Sequence, residues 1–464
     1  MRSLSLALRN LLRNQRRSAV TLFAMALGLI AVLLFGGYIK DITYGLQTDA
    51  VRRTGHLQIQ HKGYFLYGTG SPASYAIADY ERVIAAVKND PVLAPMITVV
   101  TPTLQLGGIA GNFAAGVTRT VAANGTVIED QNRMREWNDY GLKQTLASLP
   151  LTGTAPNTAV VGTGVARVLQ LCGPLQVPNC VATPQPSIKP QGADIPADIA
   201  ALSAPAARTV SATPATPHIE ILAASAHGAP NVADVNVVKA EYQGVKELDD
   251  IYVALHLSQA QKLIFGGERP QVTAIVVQLR HTSQMAAARL RLEQLLANTL
   301  QDQPLEVQDF ETLNPFYVQT LRMFGAIFGF ISVLIGAIVL FTVGNTLSMA
   351  VVERTTEVGT LRAIGLRRSG IRAMFLSEGV MLGIIGAALG IIVALAIAWG
   401  VNHMGLTWTP PARVEPVPLT VRVFGETRLI LVSAIGLVIV AVVSATWPAA
   451  RAARMNIVDA LRHI

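Results

Sequence analysis

The segment Glu353–Gly365, ERTTEVGTLRAIG, sets Glu353, Arg354, Glu357 and Arg362 around Val358, Leu361 and Ile364, which recur at helical spacing. Such side chains make ion pairs and fill apolar grooves; they are groups for binding rather than for breaking bonds. On spacing alone two readings stand side by side. One is an interfacial stretch whose arginines face anionic headgroups; the other is a short helix that docks on a cytoplasmic ATPase. A third acid, Glu378, is the one charge between Arg372 and Arg413. An acid in an apolar run is a functional candidate by default. Its closeness to Arg368 and Arg372 suits an ion pair or a helix-end role instead. Cys172 and Cys180 flank CGPLQVPNC and would close a short loop in an oxidising compartment, the alternative being two free thiols. His56 and His61 lack further ligands nearby, so no metal site is expected.

Motifs that carry catalysis are missing from these residues. GxxxxGK[ST], HExxH and GxSxG do not occur. The expectation is a non-catalytic chain that binds no cofactor itself and borrows its energy.

The elements that position these groups are long and apolar. Charged residues make up 14% and hydrophobic ones 51% of the 464 residues, with mean hydropathy +0.42; soluble domains carry roughly 25% charged residues. Uncharged runs cover Ser18–Ile39, Met323–Val352 and Leu429–Ala450, and a fourth, broken by Glu378, follows Arg372. A bilayer core needs about 20 apolar residues per helix, so four transmembrane helices are expected. The first run is too long for a signal-peptide core and has no small-x-small site at its outer end, so it reads as retained.

Net charge is +8, but its distribution speaks against nucleic acid. Residues 1–17, 351–372 and 448–464 hold 13 basic and 3 acidic residues, whereas 40–311 hold 20 and 23. Basic residues confined to short segments beside the spans follow the positive-inside rule. The expected layout is a cytoplasmic segment 1–17, a first span 18–39, an external domain 40–318, and a second span with stalk 319–350. A cytoplasmic coupling segment 351–370, a third span 371–400, an external loop 401–427, a fourth span 428–448 and a cytoplasmic tail 449–464 complete it.

Within the external region, the β-like stretch Pro95–Thr126 contains Gly107-Gly108 and Asn124-Gly125, the latter a hairpin signal. Tyr80–Lys88 and Ser283–Leu300 have helical spacing, and Gln271–Leu279 reads as a buried strand. This is an α+β pattern. Residues 183–217 hold seven Pro among Ala, Ser and Thr and read as a flexible insertion. The second apolar run is long enough to project as a stiff stalk, with Asp41–Arg53 as its partner. Gly325 and Gly329 on the second span, and Gly379, Gly383, Gly386 and Gly390 on the third, offer close helix packing, within one subunit or at a dimer seam.

ERTTEVGTLRAIG, RSGIRAMFLSEGVMLGIIGAALG and the tail WPAARAARMNIVDALR resemble the FtsX-like permease domain shared by the MacB, LolC/LolE and FtsX proteins. The opening RNLLRNQRRSAVTL is similar to the start of those chains. More weakly, TGHLQIQHKGY, VVGTGVARVLQL, GAPNVADVNVVKAEYQGVKELDD and TAIVVQL resemble the MacB/Lol periplasmic core. Cys172-Gly173-Pro174 stands where that family commonly has Gly-Asp. The resemblance implies a permease in a bacterial inner membrane with its large domain periplasmic. ATP and magnesium would sit on a separate ATPase, contacted through Glu353, Arg354, Glu357, Gly359, Leu361 and Arg362. It further implies a second permease copy or paralogue, and lipoprotein release or export of a lipid, peptide or drug, with a periplasmic adaptor or lipoprotein carrier and membrane lipids as partners. The alternative it offers is an FtsX-like mechanotransmitter that regulates a cell-wall hydrolase.

Overall fold

The computed structural model describes residues 15–142, 146–178, 180, 217–409 and 416–457. The insertion 183–217, except its last residue, most of the segment 1–17 and the end of the tail 449–464 lie outside the described residues. The chain divides into two compact units, Met1–Gly45 with Phe316–Trp408 and Pro416–Ile464, and Leu46–Pro315 with Thr409–Glu415.

The first long helix, α1, spans Gln15–Thr54, 40 residues without a proline. At 1.5 Å per residue it is about 60 Å long. The mixed domain follows. In chain order it contains β1 (Leu57–His61), α2 (Tyr80–Asn89), β2 (Ile97–Asn112), β3 (Val117–Thr126) and α3 (Ile128–Arg135). Then come β4 (Thr158–Gly162), α4 (Thr163–Val168), β5 (His218–Ala224), β6 (Pro230–Glu241) and β7 (Tyr252–His256). The last four are α5 (Leu257–Phe265), β8 (Ala274–Leu279), α6 (Met285–Thr299) and β9 (Leu305–Asp309). Three further long helices close the chain, α7 (Pro315–Glu353), α9 (Arg368–His403) and α10 (Thr427–Arg454), with the short α8 (Thr355–Ala363) between α7 and α9.

The nine strands run in the order β3-β7-β4-β6-β5-β2-β8-β1-β9, and β2 also pairs with β3. Six strands therefore close on themselves, and β8, β1 and β9 extend the sheet. The 16-residue β2 serves both parts: Ile97–Thr103 pairs with β8, and Thr103–Asn112 with β3. Pairs β3–β7 and β4–β6 are parallel and the others antiparallel. β1 lies between β8 and β9, with Leu57 opposite Asp309 and His61 opposite Leu305. Leu57, Ile59, Leu104, Val161, Ile219, Ile221, Val253, Leu255, Ile275 and Val277 fill the interior. Every residue of β8 is buried, as expected of the apolar run Ala274–Val277, and Gln278 is buried with it.

The hairpin signal at Asn124-Gly125 is corrected by this register. Both residues lie inside β3, opposite Gln105 and Leu104, and the turn falls at Phe113–Gly116, where Gly116 has φ +67. Gly125 is small for another reason: a Cβ there would stand 2.4 Å from the Cβ of Ala260 on α5. The glycine admits a helix to the sheet rather than turning the chain.

α1, α7, α9 and α10 are each long and apolar enough to cross a membrane, which makes the chain a multi-pass membrane protein with an extramembrane α/β domain between its first two spans. Their shared core joins Met25, Leu29 and Leu33 of α1, Val339, Val343 and Leu347 of α7, Leu382, Ala387 and Ala394 of α9, and Leu437, Ala441 and Ala445 of α10. The glycines of α9 face two neighbours. A Cβ at Gly379 would lie 2.8 Å from Ala445, and one at Gly383 3.1 Å from the Val438 backbone, both on α10. At Gly386 and Gly390 the near atoms belong to Met25 and Leu29 of α1. Gly325 and Gly329 of α7, grouped with them by spacing, have no atom within 4 Å of such a Cβ. Phe330, Val333 and Phe341 on α7 are outward-facing, as lipid contact allows.

Candidate functional site

α7 ends at Glu353 and α8 begins at Thr355; Arg354, with φ −107 and ψ 21, is the single residue between them. Hydrogen bonding continues on both sides, from Arg354 N to Ala350 O at 3.2 Å and from Val358 N to Arg354 O at 2.9 Å. The helix is therefore interrupted at Arg354, which keeps one backbone hydrogen bond to α7 and one to α8. The Arg354 guanidinium turns inward and donates to Oε2 of Glu378 on α9 at 3.4 Å. Arg354 is 6% and Glu378 4% exposed. Two opposite charges this deeply buried offset part of each other's desolvation cost, and losing either leaves its partner stranded. Arg368 and Arg372, nearer to Glu378 in sequence, are exposed on α9.

The far end of α8 is fastened as well. Arg362 Nη1 donates to the carbonyl of Met455, the residue that caps α10. A helix C-terminus presents unpaired carbonyls and a negative dipole end, both suited to an arginine. Between the two arginines, Val358 packs with Val351, Ile371, Phe375, Ala449, Ala452 and Ala453, and Leu361 lies partly buried against them. Of the residues that the resemblance implied for ATPase contact, Arg354 and Gly359 are thus buried and Leu361 and Arg362 half-buried; Glu353 and Glu357 are exposed. The outward side of α8 carries Thr356, Glu357, Thr360 and Ala363 and ends at Ile364, which is 81% exposed. Of the three apolar residues at helical spacing, Val358 is buried and Leu361 half-buried, whereas Ile364 is turned outward.

A second polar arrangement lies in the other unit, around Gln47–Thr54 at the end of α1. The last carbonyls of a helix have no partners within it. Here Gln131 donates to Arg52 O at 3.2 Å and Gln58 to Thr54 O at 2.9 Å, while Val51 O accepts from Gly55 N at 3.0 Å and also from Gln278 at 3.4 Å. Gln278 also donates to Met134 O at 3.1 Å. Arg52, buried, donates to Trp137 O at 2.8 Å, and Arg53 to Gln243 O at 2.7 Å. Sequence alone gave no signal for this set, because its donors come from β1, α3 and β8.

His56 follows immediately. Its Nδ1 accepts from Leu279 N at 3.0 Å, so Nε2 carries the proton toward Thr282 Oγ1, 3.2 Å away. Burial lowers its pKa to about 4. His61 instead meets the edge of Tyr75, and among the described residues no group of three or more His, Cys, Asp and Glu is placed to hold a metal ion. Cys172 and Cys180 are joined as a disulfide, with Cα atoms 5.8 Å apart. Two of the external motifs come together: buried Asp249 accepts from Thr163 N, Thr163 Oγ1, Gly164 N and Gln243 N. A Cβ on Gly162 would collide with the Asp249 carbonyl, 2.0 Å away.

Residues 327–457 match the family described as FtsX-like permease C-terminal, a span that takes in α8, α9, α10 and most of α7. The chain is 36% identical over 158 residues to the ABC transporter permease YtrF of Bacillus subtilis, covering 33% of this chain and 35% of that one. It is 32% identical over 173 residues to the pyoverdine export ATP-binding/permease protein PvdT of Pseudomonas syringae pv. syringae, covering 35% and 25%. It is 30% identical over 145 residues to the macrolide export ATP-binding/permease protein MacB of Bdellovibrio bacteriovorus, covering 31% and 20%. The match thus spans about a third of the first relative's length and a quarter or less of the other two.

Proposed function

We propose that this chain is the membrane-spanning permease subunit of an ABC-type complex in a bacterial inner membrane. A separate ATPase subunit, holding ATP and magnesium, docks on the outward face of α8. The observation that carries the reading is Ile364, an isoleucine 81% exposed in a region similar to FtsX-like permeases. With Glu357 and Thr360 at helical spacing it forms the kind of anchor that a partner's groove takes up. The basic residues of 351–372 favour a cytoplasmic position for this face, and the α/β domain is then periplasmic.

The subunit pairs with a second copy or a paralogue. Four spans leave little room for a wide tunnel, so hydrolysis acts by moving the external domains. The work is release of lipoproteins from the membrane, or export of a lipid, peptide or drug from the periplasmic side, with an adaptor or lipoprotein carrier receiving it. The rival reading, a mechanotransmitter for a cell-wall hydrolase, differs in its partner: a peptidoglycan hydrolase would be captured in place of a carrier.

The test is affinity capture of the full-length chain from native membranes, with mass spectrometry of bound proteins and lipids and an ATP hydrolysis assay. An ABC ATPase is expected with the unsubstituted chain and is expected to be lost with Ile364→Asp. Capture of equal ATPase by both proteins would overturn this docking face, and labelling of Ala363→Cys from outside intact cells would overturn the orientation.

A further inference from the structure

We infer that Arg354 and Arg362 are positioning residues that fasten α8 to α9 and α10, so that a push received on the outer face of α8 passes straight to the third and fourth membrane helices. The inference rests on the reading of α8 as a docking element and assigns these two arginines a role other than contact with the partner.

The geometry is a bracket. At one end the Arg354–Glu378 pair, both members buried, ties the start of α8 to α9. At the other, Arg362 holds the capping carbonyl of α10. Between them Val358 rests on a pad made by Ile371 and Phe375 of α9 and Ala449, Ala452 and Ala453 of α10. An apolar pad alone tolerates sliding, because its attraction is non-directional. Hydrogen-bonded charges fix one geometry, and a stranded partner makes every other geometry unfavourable. Glu378 sits directly before Gly379, where α9 comes closest to Ala445 of α10. The pair therefore joins α8 at a point where α9 and α10 are in close contact.

The test uses spin labels on two exposed positions, Ala363→Cys on α8 and Ala373→Cys on α9, in the otherwise unsubstituted full chain. A narrow distance distribution is expected, and it is measured in the chain alone because Ala363 lies on the face read as the docking surface. Arg354→Met with Glu378→Met removes both charges while retaining apolar volume, so the fold is expected to persist. Without a label on α8, this double variant should still capture the ATPase, since Ile364 is untouched; with both labels, in the chain alone, its distance distribution should broaden. The nucleotide-dependent shift of a label on the far end of α9 should be lost. The charge-exchanged chain, Arg354→Glu with Glu378→Arg, should restore the narrow distribution. If the double variant stays as narrow as the parent, the fastening is overturned, and this can be read in the chain alone. Failure of the unsubstituted chain to capture any ATPase would instead sink the docking function and leave the distance result standing.

Discussion

The end of α1 and the break between α7 and α8 both leave a long helix among buried polar groups, yet they satisfy those groups by different chemistry. Around Gln47–Thr54 the last carbonyls are met by neutral amides, from the Gly55 backbone and from the side chains of Gln58, Gln131 and Gln278. At Arg354 a guanidinium meets a carboxylate. A neutral amide bond contributes about 1 kcal/mol, and removing one donor costs about 1–2 kcal/mol. A buried ion pair contributes less on balance, because desolvation offsets the attraction, but removing one member alone costs about 3–5 kcal/mol. The first arrangement distributes its strength; the second concentrates it in one geometry. That contrast fits an attachment meant to hold in one unit and a position meant to be specified in the other.

Four measurements would break or sharpen the contrast. The largest effect is expected from Arg354→Met alone, about 3–5 kcal/mol of lost local stability from the stranded Glu378, seen as faster hydrogen exchange across 350–380. The double exchange with Glu378→Met should lose less than either single change. If the single and double variants exchange alike, the pair is not a concentrated contact.

Next comes acid. His56 is neutral when folded, with its pKa lowered to about 4 from an ordinary 6.5. Between those values the unfolded chain binds the extra proton, so stability is complete above about pH 6.5 and falls toward pH 4, by up to about 3 kcal/mol. Denaturant titrations of the chain from pH 7 to 4, followed by exchange in 46–60, should show that slope. His56→Asn, which keeps an acceptor for Leu279 N, should flatten it. An unchanged slope would place the acid sensitivity elsewhere.

Gln278→Leu removes donors to two carbonyls and should cost about 2 kcal/mol, with Gln131→Leu costing about 1. Neither loss should respond to salt; a strong salt dependence would mean that the amides are not the source of the strength. The smallest effect on stability belongs to Ile364→Asp, within about 0.5 kcal/mol for a surface change, although partner capture should be abolished. A large drop in melting temperature would show that Ile364 supports the fold itself.

Much of the architecture was legible in the sequence. The four spans follow from runs without charge, and β8 from AIVVQL, because both depend on composition over a window. Partner choice was harder to see. Glu378 has Arg368 and Arg372 nearby in sequence, but both are exposed on its own helix, and the fold delivers Arg354 from 24 residues away. Ile364 shares the apolar period of Val358, and only the fold reveals that α8 stops short of burying it. Gly125 looked like a turn because a glycine's smallness serves equally for a bend and for a close approach. The three amides at the end of α1 lie on β1, α3 and β8, and no local pattern links them.

The pairing of β1 with β9 carries a last consequence. The first strand after α1 and the last strand before α7 are rungs of one antiparallel ladder, from Leu57 opposite Asp309 to His61 opposite Leu305. Chain entry and exit are therefore zipped together, and a slip of one residue would turn every side chain to the wrong face. Unequal pulling on the two strands is resisted in shear by all rungs at once, whereas prying them apart would open them singly. The doorway of the α/β domain is stiff against sliding and comparatively yielding to opening.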